Sequence, residues 1–188
     1  MANERRLFKQ RLHRLDSGYY TGPCWVHWSM TLENRAQGWL NKDTHSTFRE
    51  YLFQAMARYR TACPIYCLMP DHWHLLIAGL NDVSNQPLAV QTLRRQWNSI
   101  HPDAKLQRQA FDHVLRENEC RSDAILKLSQ YILNNPVRKQ LVENPTAWPY
   151  SGSVFPGYPN LDPRKYYFWE NFWKAYGEQA EGQRQFNR

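Results

Sequence analysis

The stretch Pro64-Ile-Tyr-Cys-Leu-Met-Pro-Asp-His-Trp-His-Leu-Leu-Ile-Ala-Gly79 holds two apolar runs that meet across Pro70-Asp71. Proline presets a turn dihedral and aspartate bonds to nearby backbone, so the pair reads as the turn of a β-hairpin and the runs as its arms. Side chains on a strand alternate between faces, which puts His72 and His74 on one side of the sheet and Trp73 on the other. Two neutral imidazoles on one face are potential ligands of a divalent cation. Half-exposed sheet residues are the plainer reading, and a lone His-x-His does not decide between them.

The rest of the chain supplies elements around that hairpin. Cys24 to Leu32 reads as a strand that buries Cys24, Val26, Trp28, Met30 and Leu32 and turns Trp25, His27, Ser29 and Thr31 the other way. Thr44 is placed to cap a helix with the apolar stripe Phe48, Tyr51, Leu52, Met56 and Tyr59. After the hairpin, Val90, Leu93, Trp97 and Ile100 line one face of a second helix, leaving Gln91, Arg94, Arg95 and Asn98 on other faces. Ala110 to Glu117 alternates as a fourth strand. The order β-α-β-β-α-β predicts an α+β fold, a ferredoxin-like central antiparallel sheet with helices on one face. A third helix starts at Ser122, buries Ile125, Leu128 and Ile132, and aligns Lys127, Tyr131 and Asn135 as a polar row before Pro136 kinks or stops it.

Three divisions follow: a basic arm over residues 1 to 23, a domain over 24 to 150, and an aromatic tail over 151 to 188. In the tail Tyr166, Trp169, Trp173 and Tyr176 form a helical stripe suited to docking on a core, and residues 177 to 188 read as disordered. The arm carries Arg5, Arg6, Lys9, Arg11 and Arg14 with little apolar surface. The formal charge of +7, from 24 Lys plus Arg against 17 Asp plus Glu, points to a polyanionic partner, nucleic acid first among them. Aromatics at 14% exceed what a core of this size needs, so Trp25, Trp28 and Trp97 are candidates for base stacking. Cys24, Cys63, Cys67 and Cys120 lack paired metal spacing; Cys63 and Cys67 stand roughly 13 Å apart along a strand, and all four read as free thiols. No run approaches the ~20 apolar residues of a membrane span, and the charged N-terminus lacks a signal peptide's apolar segment, so a cytoplasmic location is expected.

Met69-Pro-Asp-His-Trp-His-Leu-Leu-Ile77 on a strand, followed by a lone tyrosine in Tyr131-Ile-Leu-Asn-Asn-Pro-Val-Arg-Lys-Gln-Leu-Val142, closely resembles the single-tyrosine HUH endonucleases of the IS200-like transposase group. The likeness is strongest to the REP-associated tyrosine transposases. It spans roughly residues 20 to 150, in order, and the two motifs together are far more specific than either alone. The resemblance implies that His72 and His74 hold a divalent metal, Mg²⁺ or Mn²⁺, with Asn135 as third ligand and Tyr131 as the nucleophile that attacks a DNA phosphate. It also implies a 5′-phosphotyrosine intermediate and single-stranded DNA folded as hairpin palindromes as the partner.

The chemistry is coherent on the residues. A phosphodiester's charge repels nucleophiles, which a cation at the histidines counters, and a phenol with an ordinary pKa near ~10 needs help to ionise. Arg94, Arg95, Lys127 and the five basic arm residues are the DNA-contact candidates. Nothing resembles a P-loop or a paired-carboxylate two-metal site, so an ATPase or an ordinary nuclease is disfavoured. A non-catalytic single-stranded nucleic-acid-binding module is the competing class, and a replication initiator of the same chemistry is disfavoured by the absence of a helicase-like region. Monomer and homodimer both remain open.

Overall fold

A computed structural model describes residues 15–115 and 122–186, with side chains described as far as Gln179 and that of Ser122 outside the description. Strands β1 (Trp25–Thr31), β2 (Thr61–Met69), β3 (His72–Gly79), β4 (Phe111–Val114) and β5 (Ser151–Val154) form one antiparallel sheet, ordered β4-β1-β3-β2-β5. Four of the five follow the expected split pattern. The fifth lies in what reads from sequence as tail, and extends the sheet beyond β2 through pairs such as Gly152 with Tyr66.

Helix α1 (Lys42–Arg58) starts earlier than Thr44 because Asn41, in extended conformation, is the cap. Its Oδ1 accepts from the Asp43 and Thr44 N–H groups at 3.0 Å each, and Thr44 Oγ1 accepts from the Asn41 N–H at 3.0 Å. This reciprocal box satisfies orphan donors of the first turn. Helix α2 (Gln86–Ile100) packs beside α1, and together they bury one sheet face through Phe48, Leu52, Leu93 and Trp97 against Trp28 and Trp73.

The other face is covered as well, which corrects the one-sided expectation. Helices α3 (Ser122–Leu133), α4 (Asn135–Arg138) and α5 (Phe168–Phe186) follow β4, and Ile125, Ile132, Phe168 and Phe172 pack on Trp25, Ile65, Cys67 and Leu76. Sequence alternation could not reveal this, because a His or Ser facing a second layer looks like one facing water. Trp25, Val26, His27 and Trp28 are in consequence all buried. Trp25, Trp28 and Trp97, 0–5% exposed, belong to the two cores and are not available to stack bases.

The docking expected of the aromatic tail is observed with its stripe shifted: Phe168, Phe172 and Ala175 are fully buried, Trp169, Trp173 and Tyr176 flank them, and Tyr166 stands wholly exposed ahead of the helix. Trp25 packs on this face with ring centroids 5.5–5.9 Å from Phe172, Trp173 and Tyr176. Helix α5 continues to Phe186, past the point where the sequence suggests disorder.

Pro64 sits inside β2, where it has no N–H for a ladder. The strand bulges there in both of its pairings, and alternation slips by one residue. Cys63 and Tyr66 thus face α1 and α2, while Ile65 and Cys67 face the second layer. Cys24, Cys63 and Cys67 are free thiols, and Cys120 lies outside the described residues. At the N-terminal side, Tyr20 is buried on Trp28 and its hydroxyl donates to Asp112 of β4. Arg5, Arg6, Lys9, Arg11 and Arg14 lie outside the described residues, as do Arg116 and Glu117. Among the described residues no helix is long and apolar enough to cross a membrane.

Candidate active site

The β2–β3 turn is fixed from three directions. Trp39 Nε1 donates to the Pro70 carbonyl at 2.6 Å, the Leu32 N–H donates to the Asp71 carbonyl at 3.0 Å, and Arg35 Nη1 donates to Asp71 Oδ2 at 2.8 Å. Immediately after it the strand pleat separates the two chemistries of the motif. Trp73 is fully buried among Phe48, Trp39 and Trp97, with centroid separations of 4.8–5.9 Å, and so locks the rotation of β3. His72 and His74 therefore emerge together on the α3 side, their Nε2 atoms 3.1 Å apart.

That separation fits a shared cation. Two ligands at adjacent corners of an octahedron with bonds of about 2.1 Å stand roughly 3 Å apart. The far nitrogens are also held: His72 Nδ1 lies 2.6 Å from Asp71 Oδ1, and His74 Nδ1 lies 3.1 Å from His27 Nε2 of β1. Burial, followed by the neighbouring His27, His72 and Arg138, pushes His74 down to about 3, so at neutral pH its imidazole is uncharged and has a lone pair to give. Asp71 is held below the usual carboxylate range: burial acts upward, but hydrogen bonds from His72 and Arg35 outweigh it. Among the described residues no three His, Cys, Asp or Glu side chains converge as a metal site, so two imidazoles would have to be completed by other oxygen donors.

Helix α3 brings Tyr131 over this pair. The tyrosine is 45% exposed, its ring centroid 6.3 Å from that of His74. Helix α3 ends at Leu133, as Pro136 requires, and the short α4 resumes with Asn135. The break turns Asn135 inward, so the expected polar row does not persist: Lys127 and Tyr131 are exposed and Asn135 is buried. Asn135 Nδ2 donates to the carbonyls of Tyr131 and Ile132 at 2.9 and 3.3 Å, tying the residue to the helix end and leaving Oδ1 as its acceptor.

Two residues of this neighbourhood went unread in the sequence. Arg138, one turn into α4, places its guanidinium 4.7 Å from the Tyr131 ring centroid. His27 closes the far side of His74, and its only sequence signal is a histidine on the strand face that carries no apolar residue except Trp25. Burial, then the charge of His113, lowers its pKa to about 4. Arg94 and Arg95 do not join the site. They line a cleft on the opposite layer with Arg58, Gln91 and Asn98, and Arg94 donates to the Arg108 carbonyl.

No family model matches the chain. A Haemophilus influenzae protein that carries the name of a REP-associated tyrosine transposase is 25% identical over 134 residues, covering 60% of this chain and 74% of that one. A solved REP-associated tyrosine transposase bound to a REP hairpin matches the fold with a TM-score of 0.63 at 16% identity, over 75% of this chain and 81% of that one. In sequence and in fold the chain is similar to these REP-associated tyrosine transposases. Its five-stranded antiparallel sheet with helices is the α+β fold that it shares with that solved structure.

Proposed function

We propose that this chain is a metal-dependent endonuclease and strand transferase for single-stranded DNA folded as hairpins, with Tyr131 as nucleophile. The observation that carries the reading is the placement of an exposed tyrosine 6.3 Å, ring to ring, from a histidine whose Nε2 faces a second histidine's Nε2. A tyrosine kept only for packing would bury its ring, and a histidine pair kept only for structure would not need both outer nitrogens braced.

His72 and His74 would hold the cation, with the Asn135 Oδ1 as the third protein ligand of the reading. When bound, Mg²⁺ or Mn²⁺ supplies charge neutralisation at the scissile phosphate. Tyr131 gives up its phenolic proton and forms a bond from Oη to phosphorus; the bond from phosphorus to the 3′ oxygen breaks, and that oxygen leaves as a hydroxyl after taking a proton. The phosphodiester is exchanged and not spent, so a free 3′ hydroxyl reverses the step and rejoins strands without a nucleotide cofactor. Arg138 orients the tyrosine ring and adds a cation beside the incoming phosphate. Lys127, exposed one turn before Tyr131, and the basic arm with Arg5, Arg6, Lys9, Arg11 and Arg14 are placed in the reading as backbone contacts.

The test uses one end-labelled palindrome, folded as a single-stranded hairpin or annealed as perfect duplex, with Mn²⁺ or with excess chelator. Cleavage of the hairpin alone, and only with Mn²⁺, is expected. Tight binding without any cut would favour a nucleic-acid-binding module, and equal cutting in chelator would remove the metal.

A further inference from the structure

His74 makes contacts through both ring nitrogens, and only one of them belongs to the pair that faces the cation. Its Nδ1 lies 3.1 Å from Nε2 of His27, which is 9% exposed, with the two rings tilted by 30° at a centroid separation of 5.2 Å. In the β1–β3 register His74 pairs with Ser29 and Leu76 pairs with His27. His27 is therefore the diagonal neighbour of His74 on the same sheet face, within side-chain reach.

We infer that His27 is a positioning residue, one that accepts the Nδ1 proton of His74 and so fixes the tautomer in which His74 presents a bare Nε2 to the metal. The inference rests on the metal-site reading given above. A neutral imidazole has one N–H and one lone pair, and which nitrogen holds the proton is set by the partner of the other. For His72 the matter is settled by Asp71, whose ionised carboxylate only accepts, so Nδ1 donates and Nε2 is bare. His74 has no carboxylate in that place. Without His27 a buried Nδ1–H would be left unpaired, and the alternative tautomer, with Nε2–H donating across 3.1 Å to His72, would become the satisfied one. That tautomer blocks the lone pair a cation needs. His27 thus does for His74 what Asp71 does for His72, from a different strand.

The experiment titrates Mn²⁺ into the intact protein, followed by electron paramagnetic resonance without DNA, in wild type, His27→Leu and His27→Gln. Partners of this kind are worth roughly 10- to 100-fold in metal affinity. His27→Leu should therefore weaken Mn²⁺ binding about 10- to 100-fold, and His27→Gln, whose amide oxygen accepts, should recover most of it. Thermal midpoints in chelator separate lost packing from lost affinity. Should His27→Leu not fold, nitrogen NMR of wild type with Mg²⁺ decides: a His74 proton on Nδ1 supports the inference, and one on Nε2 overturns it. Leu and Gln variants that bind Mn²⁺ as wild type does overturn the role of His27 alone. A wild type that binds no Mn²⁺ overturns the metal site and this inference together.

Discussion

Replacing Trp73 by alanine tests the pleat on which the site depends. The indole is fully buried between Phe48, Trp39 and Trp97, and truncating so large a core ring costs about 3–5 kcal/mol in lost transfer and cavity energy. Part of that is returned, because Trp73 Nε1 is buried with no acceptor and such an orphan costs about 1–3 kcal/mol. Taken at the centres of these ranges, the net expectation for Trp73→Ala is a loss of about 2 kcal/mol, a sizeable share of the roughly 5–15 kcal/mol available to a domain. Trp73→Phe keeps a ring in the same slot and deletes the orphan donor, so its loss should stay under about 1.5 kcal/mol. Urea unfolding followed by circular dichroism, in chelator so that metal linkage does not intrude, measures both. A Trp73→Ala loss below about 1 kcal/mol would mean that the ring is not in the core. The alternation that turns His72 and His74 toward Tyr131 would then be wrong.

Two further outcomes are expected. A Cβ at Gly152 would lie 2.5 Å from Tyr66 Oη and 2.8 Å from its Cζ, so Gly152→Ala should cost about 1–3 kcal/mol, and Tyr66→Phe, which removes the first contact and keeps the second, should relieve only part of it when measured against the Tyr66→Phe single variant; an equal cost of Gly152→Ala in both backgrounds would refute the clash with the hydroxyl. His45 is lowered from 6.5 to about 4, by burial first and then by Arg49 and Arg164, so between those values the unfolded chain takes a proton that the folded chain refuses. Stability in chelator should fall as pH drops from about 6.5 to about 4, and His45→Gln should flatten that fall; an unchanged slope in the variant would show that His45 is not the group responsible.

What the sequence made legible is what depends on local period and turn chemistry. The Pro70-Asp71 turn, the alternation through His72, Trp73 and His74, and the helix break before Pro136 all follow from neighbours in the chain, and the structure carries each of them. Features that depend on distant partners were not readable. Ser151–Val154 is a strand because β2 offers it an edge, and its own run of small residues gives no strand signal. The bulge at Pro64 was hidden for a related reason: a proline in an apolar run does not say which residues change face. Trp25 pointed away from the first core and so looked available for bases, until α5 supplied a second one. His27 and Arg138 reach the site only through strand register and the α3–α4 turn.

The central claim is that Tyr131 becomes covalently joined to DNA beside the His72 and His74 pair, and a denaturing gel measures it directly. Single-stranded hairpin DNA labelled on either side of the cut is incubated with Mn²⁺ and wild-type protein, Tyr131→Phe or His74→Ala. The account predicts a slow-migrating adduct, retaining only the label on the 3′ side of the break because the tyrosine holds that fragment's 5′ phosphate, with wild type alone. DNA affinity of Tyr131→Phe should be nearly unchanged, since one hydroxyl and no charge is lost. An adduct that persists in Tyr131→Phe, or cleavage by wild type with no adduct under any metal condition, would contradict the account.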